Sequence, residues 1–226
     1  MSIDRFILAS GSPRRKELLG QIGINPEIIP SDIDEKVTTS VPGELVISLS
    51  KSKAMDIASK LQESESDYEI SAAADHQPVN SGNISHESSL QNKLTLILGA
   101  DTVVSVDGHI LGKPHSHEEA KEMIRSIQGR IHQVYTGVTI ISRDSAGQAT
   151  IDSFAVKTDV NVYPMTESEI RTYAESAEPM DKAGAYGIQG AFARYIKGID
   201  GDYNNVVGLP VAEVYQRIKK YLNEKD

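Results

Sequence analysis

The chain contains no cysteine and no tryptophan, only three phenylalanines among its 226 residues, and no apolar run near the roughly 20 residues that cross a bilayer. Without cysteine there is no disulfide framework, no thiolate nucleophile and no cysteine-bound zinc, a composition that fits a reducing compartment. The opening residues Met1 to Arg5 lack the apolar stretch of a secretory signal, so the expected location is the cytoplasm, with entry to the nucleus left open. A basic excess is also missing. Lys and Arg number 23 against 32 Asp and Glu, a formal net charge of −9. That is a poor footprint for counterion-releasing contact with a polyanion, so neither a nucleic-acid polymer nor a membrane is expected as partner.

What is present is unevenly placed. Residues 1–60 carry eight basic and eight acidic side chains, whereas residues 61–93 carry one basic and six acidic, so more than half of the charge excess sits in one short segment. That segment contains ESESDYE, a Pro-Val-Asn-Ser-Gly run and HESS, with no sustained helical or strand period, and it reads as a flexible acidic insertion at 61–93. The remainder is nearly neutral and long enough for a sizeable core. The expected organisation is one domain over 1–226, built as two close lobes.

The remainder alternates strand and helix patterns. Arg5 to Ala9 is an apolar strand ending in Ser10-Gly11-Ser12, and Pro13 opens a helix with Leu18, Leu19 and Ile22 on one face. A second helix is expected over about 43–61, with Val46, Leu49 and Ile57 inward. Leu94 to Leu98 reads as a buried strand, and Asp107-Gly108 between Val103–Val106 and Ile110-Leu111 is a type I′ hairpin signal. Ser116 with Glu119, and Thr166 with Glu169, have capping-box spacing. Patterns at 132–142 and 149–163 suit antiparallel neighbours, 192–196 a strand, and Val211, Val214, Tyr215, Ile218 and Leu222 a terminal amphipathic helix. The fold class is α/β, with a mixed twisted sheet and flanking helices.

Four features depart from structural expectation. Helix N-termini prefer acids, yet Arg14, Arg15 and Lys16 follow Ser12-Pro13; a bound anion held by the serines and guanidiniums would resolve the conflict, and a solvated basic patch is the alternative. It is neither a Walker A loop nor a dinucleotide fingerprint. Lys53 falls on the apolar stripe of its helix, where it either snorkels to solvent or points into a cleft. Asp101, after Gly99-Ala100 at the end of the LTLIL strand, stands where open α/β sheets place reacting groups, or simply caps a turn. Lys113 returns towards it at the end of the hairpin, and Asp32, Asp34 and Glu35 add carboxylates for a divalent cation, though most such clusters are solvated loops. Finally, the glycine-rich loop 181–190 and the segment 201–210 are either turn chemistry or a base-recognition surface using Lys182, Tyr186, Gln189 and Asn205. His115 and His117 lack a third partner at metal-binding spacing and belong to the surface.

Taken together, LASGSPRRKELL, SDIDE, SKSKA, LGADTVVSVDGHILGKP, GRIHQVYTGVTI, DKAGAYGIQG and GDYNNVVGLP resemble, in order and approximate spacing, the Maf family of nucleoside triphosphate pyrophosphatases, over nearly the whole chain except 61–93. The resemblance implies two lobes around a central cleft, similar in architecture to the inosine triphosphate pyrophosphatases, and a homodimer. It implies hydrolysis of a nucleoside triphosphate between the α and β phosphates, aided by a divalent metal (Mg, Mn or Co). By the same resemblance Ser10, Arg14 and Arg15 match the phosphate-binding loop, Glu35 the metal-associated acid, Lys53 the helix lysine, Lys113 the lysine before proline, and Asp101 the proton acceptor, which also adjoins the metal. Water attack on a phosphorus ringed by negative oxygens needs such neutralising cations and a carboxylate to take the water's proton.

Within the family, the late loop resembles the dTTP and UTP branch, where positions matching Arg14, Thr102 and Gln189 are associated with specificity and Lys182 belongs to the same substrate-binding loop. A 7-methyl-GTP branch carries a cysteine in place of Lys182 and an acid in place of Gln189. A neutral amide at Gln189 suits the donor and acceptor edge of thymine or uracil, or of a modified pyrimidine, whereas a cationic methylated guanine would favour a carboxylate. Two other classes stand beside this expectation: a nucleotide-binding regulator of cell division or growth in which hydrolysis is secondary, and a structural dimerisation module with a vestigial cleft.

Overall fold

The computed structural model describes residues 2–74 and 93–222. Seven strands form one mixed sheet: β1 (Ser2–Leu8), β2 (Glu27–Ile28), β3 (Lys93–Val106), β4 (His109–Leu111), β5 (Ile131–Asp144), β6 (Ala149–Val162) and β7 (Ile196–Asp200). Their order is β2-β1-β3-β5-β6-β7, with β4 paired to β3. β1 runs parallel to β2 and β3, and all other pairings are antiparallel, as the hairpin signals required. Asp107 and Gly108 both have positive φ, 51° and 79°, the backbone that a type I′ turn demands.

Period-two alternation along β3 divides the core. Leu94, Leu96, Leu98, Ala100 and Val104 face one side, joined by Leu18 and Leu19 of α1 (Pro13–Gln21), Met123, Ile124 and Ile127 of α3 (His117–Ile127), Ile170 of α4 (Glu167–Ala174), Val207 of α5 (Tyr203–Val207) and Val214 of α6 (Val211–Ile218). Ile97 and Val103 face the other side, beneath Leu45, Val46, Leu49, Ala54 and Ile57 of α2 (Pro42–Ala74). The inward stripe read from the α2 sequence is therefore its sheet-facing side.

α2 lies on the sheet with its backbone, not only its side chains. A Cβ added at Gly137 would run into the Val46 carbonyl and lie 2.7 Å from the Ile47 nitrogen, and one at Gly99 would run into the Ser50 carbonyl oxygen and lie 2.9 Å from the Ala54 nitrogen. Gly99 thus leaves room for the helix.

Three expectations need amendment. α2 continues to Ala74, past the expected end at Leu61 and into the segment read as having no helical period. Residues 61–74 contain no glycine or proline and end in three alanines, so local propensity sustains the helix where amphipathic patterning gives no signal. The rest of the expected insertion, 75–92, lies outside the described residues. The stretch 192–196 is not a strand: Ala191–Tyr195 is a 3₁₀ turn and β7 begins at Ile196, because Phe192 turns fully inward among Tyr173, Tyr186 and Tyr195 while its neighbours face out. Thr166 and Glu169 form a reciprocal capping box, but at α3 only Ser116 caps as expected, since the Glu119 carboxylate accepts from the His115 amide, one residue earlier than a box requires.

His132 on β5 is completely buried, its Nε2 2.7 Å from the Tyr186 hydroxyl and its Nδ1 without a partner. Burial pulls its pKa down to about 4, against a smaller upward pull from Asp159. The unfolded chain takes up a proton here below about 6.5 that the folded protein refuses until about 4, so the site's full stabilisation holds above the first value and is lost as pH falls to the second. A gap of that size corresponds to of order 3 kcal/mol. Urea unfolding between pH 7 and 4 is expected to show this slope in the native sequence and to lose it in His132→Gln.

Candidate active site

β1 stops at Leu8, paired with Leu98, while β3 runs on for eight further residues to Val106 and is joined by β4 only from Val104. Among the described residues the stretch between, 99–103, has no strand neighbour on the β1 side, and a cleft of about 1080 Å³ opens there. Asp101 was expected at the carboxyl end of its own strand. It lies in mid-strand, and the end that makes the crevice belongs to β1.

Ser10, Arg14, Arg15, Glu35, Lys53, Asp101, Thr102, Lys113, Lys182 and Gln189 all line this cleft. Successive residues of a strand point to opposite faces, so Asp101 faces α2 and Thr102 faces α1. On the α2 side Lys53 Nζ is 2.7 Å from Asp101 Oδ1 and 2.6 Å from Glu35 Oε1. The Lys53 and Asp101 side chains keep only 12% and 10% of their exposure, while Glu35 keeps 52%. Burial alone would raise the Glu35 carboxyl. The hydrogen bond and charge of Lys53, with Lys113 and Arg15 behind it, hold it below its ordinary value. Of the SDIDE acids only Glu35 reaches the cleft; Asp32 pairs with Lys60 on the surface at 3.7 Å.

On the α1 side Arg15 is tied down on three sides. Its Nε donates to the Gly208 carbonyl at 2.9 Å, and its two terminal nitrogens donate to Ser10 Oγ at 3.0 Å and Thr102 Oγ1 at 3.1 Å. Thr102 in turn meets Thr136 Oγ1 at 2.9 Å, and Thr136 donates to the Asn205 carbonyl. Burial lowers the Arg15 pKa, opposed by the charge of Asp101, but from so high a starting value that the guanidinium remains charged. Arg14 reaches across the cleft mouth to Asp181 at 3.3 Å. The helix N-terminus therefore does carry its anomalous cations, with no acid in the first turn and no side-chain cap from Ser12.

The opposite wall, 178–190, is anchored where Gly184 donates its amide to the Gly112 carbonyl at 2.9 Å. Gly184 has φ of 67° and packs so closely on Val104 that any side chain would strike it. Lys182 Nζ is held by the Glu178 carbonyl and by Asp181 Oδ1, each at 2.6 Å. Two residues proposed for base contact serve the core instead. Tyr186, though it borders the cleft, is 5% exposed and bonded to His132, and Asn205 is completely buried, its amide donating to the Val134 carbonyl and Thr158 Oγ1. Their polar tips bond to core partners, which glycine-rich surroundings in sequence do not reveal. Glu178 and Asp181, by contrast, line the cleft without having been singled out; two acids just before Lys182, in Glu178-Pro-Met-Asp181-Lys182, were the available signal.

For a divalent cation, Glu35 and Asp101 are the donors at hand, two carboxylates meeting at one ammonium. Among the described residues no group of three or more histidines or acids gathers as an all-protein metal cage. Two carboxylates open to a cleft fit magnesium held jointly by protein, water and phosphate oxygens.

The chain is 45% identical to a protein of Agathobacter rectalis named dTTP/UTP pyrophosphatase, over 96% of this chain and 98% of that one. It is 41% identical to proteins of the same name from Lachnoclostridium phytofermentans and Carboxydothermus hydrogenoformans, in each case over 96% of this chain and over 95% and 98% of theirs. A solved structure of a nucleoside-triphosphatase / dITP/XTP pyrophosphatase from Mycobacterium abscessus aligns with a TM-score of 0.35 at 9% identity, over 97% of this chain and 99% of that one, a likeness too slight to bear on the fold. The family model for Maf-like proteins matches residues 5–221, and the chain belongs to that family.

Proposed function

We propose that the protein hydrolyses dTTP and UTP to the nucleoside monophosphate and pyrophosphate. The observation that carries this reading is the meeting of Lys53, Asp101 and Glu35 in one cleft that also presents Arg14, Arg15 and Lys113. A nucleoside triphosphate is a compact polyanion, and its phosphates fit between the Arg14 side and Lys113. Asp101 takes the proton of the attacking water. Lys53 and the cations around it offset charge that builds on the phosphate oxygens. Glu35 and Asp101 would hold a divalent cation, Mg, Mn or Co, which when bound supplies further neutralisation of the triphosphate. The base side of the cleft carries Gln189, whose amide offers one donor and one acceptor to the edge of thymine or uracil. The identities to three proteins named dTTP/UTP pyrophosphatase support this choice. A homodimer in the cytoplasm completes the reading, on the family resemblance.

A pyrophosphate-release panel tests it. With magnesium, manganese or cobalt present, dTTP and UTP are expected to turn over at least tenfold faster, as kcat/KM, than dCTP, purine triphosphates and 7-methyl-GTP, about what one well-placed amide pairing provides. Chelation is expected to stop the reaction. Turnover of 7-methyl-GTP with none of dTTP would overturn the assignment.

A further inference from the structure

The segment carrying Gln189 has no regular secondary structure beyond a turn in which the Gly190 amide donates to the Gly187 carbonyl at 3.2 Å. It is nevertheless tied on both sides of Gln189. The Gly187 amide donates to the Tyr173 hydroxyl at 3.3 Å, that hydroxyl donates to Glu178 Oε1 at 2.9 Å, and Glu178 Oε2 accepts from the Ala191 amide at 2.8 Å. One tyrosine and one carboxylate thus hold the amides two residues before and two residues after Gln189.

The glycines show how tightly the loop is wrapped on this pair. A Cβ at Gly190 would collide with the Glu178 carboxylate, and one at Gly187 would lie 2.7 Å from Lys182 Cε, whose ammonium is itself held by the Glu178 carbonyl. Neither glycine has positive φ, so both are needed for close approach rather than for backbone conformation. Tyr173 is fixed from below, 5% exposed on α4 and packed 5.0 Å from the Phe192 ring. Burial and the neighbouring Glu178 push its pKa up, so the hydroxyl keeps the proton it donates.

We propose that Tyr173 and Glu178 form a clamp that positions the Gln189 loop and so sets nucleobase selectivity, without touching the reacting phosphates. They are positioning residues, and the inference rests on the dTTP and UTP reading for its enzymatic consequence. A loosened loop presents the Gln189 amide in many orientations. That weakens binding of the right base and discrimination against the wrong one, while Asp101, Lys53 and the phosphate cations stay in place on other elements.

The test uses Tyr173→Phe, which removes one hydroxyl at nearly constant shape, and Gly190→Ala, which drives the loop off the carboxylate from the other side. Both are expected to raise KM for dTTP about tenfold, the equivalent of one lost hydrogen bond. Both should lower the dTTP over dCTP selectivity by a similar factor and leave kcat within about twofold. In the substrate-free protein, amide hydrogen exchange at Gly187 and Ala191 is expected to accelerate in Tyr173→Phe, with exchange elsewhere unchanged. Unaltered exchange, or an unaltered KM and selectivity in both variants, would overturn the clamp. A native protein inactive on dTTP and UTP would instead overturn the functional reading, and the exchange result would still decide whether the clamp exists.

Discussion

Replacing Asp101 by Asn is expected to lower the turnover of dTTP by 10²–10⁴-fold, the range in which a positioned general base contributes, while dTTP still binds within a few-fold of its native affinity. The expectation follows from geometry. Asp101 is the nearly buried acid of the cleft, at 10% exposure, and it stands on a continuous strand flanked by β5 through the Asp101–Gly137 pairing. An amide of the same size keeps that frame and can still accept from Lys53, but it cannot receive a proton from water. Lys53 also retains its contact with Glu35 at 2.6 Å, so the substitution does not leave a buried charge unpaired. Pyrophosphate release measures the first quantity and equilibrium binding under non-turnover conditions the second. An Asp101→Asn protein within tenfold of native turnover would remove Asp101 as the base. One that binds nucleotide, fails to hydrolyse it and still restores a cellular phenotype would favour regulation over catalysis.

The second large effect is on stability. Gly137→Ala places a methyl group against the main chain of α2 at Val46 and Ile47, atoms that cannot rotate aside as a side-chain tip could. Overpacking of this kind costs about 1–3 kcal/mol and sometimes more. At the upper end, a domain of this length would melt roughly 6–12 °C lower. Activity should suffer as well, because Gly137 is the cross-strand partner of Asp101 and the helix it would displace carries Lys53. Gly20→Ala is the control: nothing lies within 4 Å of its Cβ, and as an α1 residue without positive φ it should be neutral or stabilising by about 0.4–1 kcal/mol. Calorimetry of the two variants separates them. A Gly137→Ala protein as stable as the native one would mean that α2 does not rest on the sheet through its backbone.

The parts of the site legible in sequence were those that broke a local rule. Lys53 sits on an apolar stripe and Arg14 and Arg15 on a helix N-terminus, and both departures mark residues that line the cleft. What stayed hidden depended on distant partners. Nothing in LTLILGAD tells that β3 outlasts β1, since strand length is set by the neighbours available for pairing. Tyr186 and Asn205 look like cleft residues until His132, Val134 and Thr158, more than 45 positions away, bond the Tyr186 hydroxyl and the Asn205 amide nitrogen. Glu178 carried only a weak signal, an acid three residues before Asp181-Lys182, because its role lies in the hydroxyl of Tyr173 and the amide of Ala191.

The bond from Arg15 to the Gly208 carbonyl spans 193 positions of the chain, and it sets a timetable. Domains generally fold as units, so although α1, α2 and the β3–β5–β6 strands that carry Lys53, Asp101 and Glu35 are synthesised first, α6 must still bring Val214 to the core. The Arg15 side of the cleft cannot be finished then, because one of its three anchors has not yet been made. A chain halted before Gly208 should hold Arg15 loosely over an incomplete core, and competence for the triphosphate would arrive only with the last few turns of the molecule.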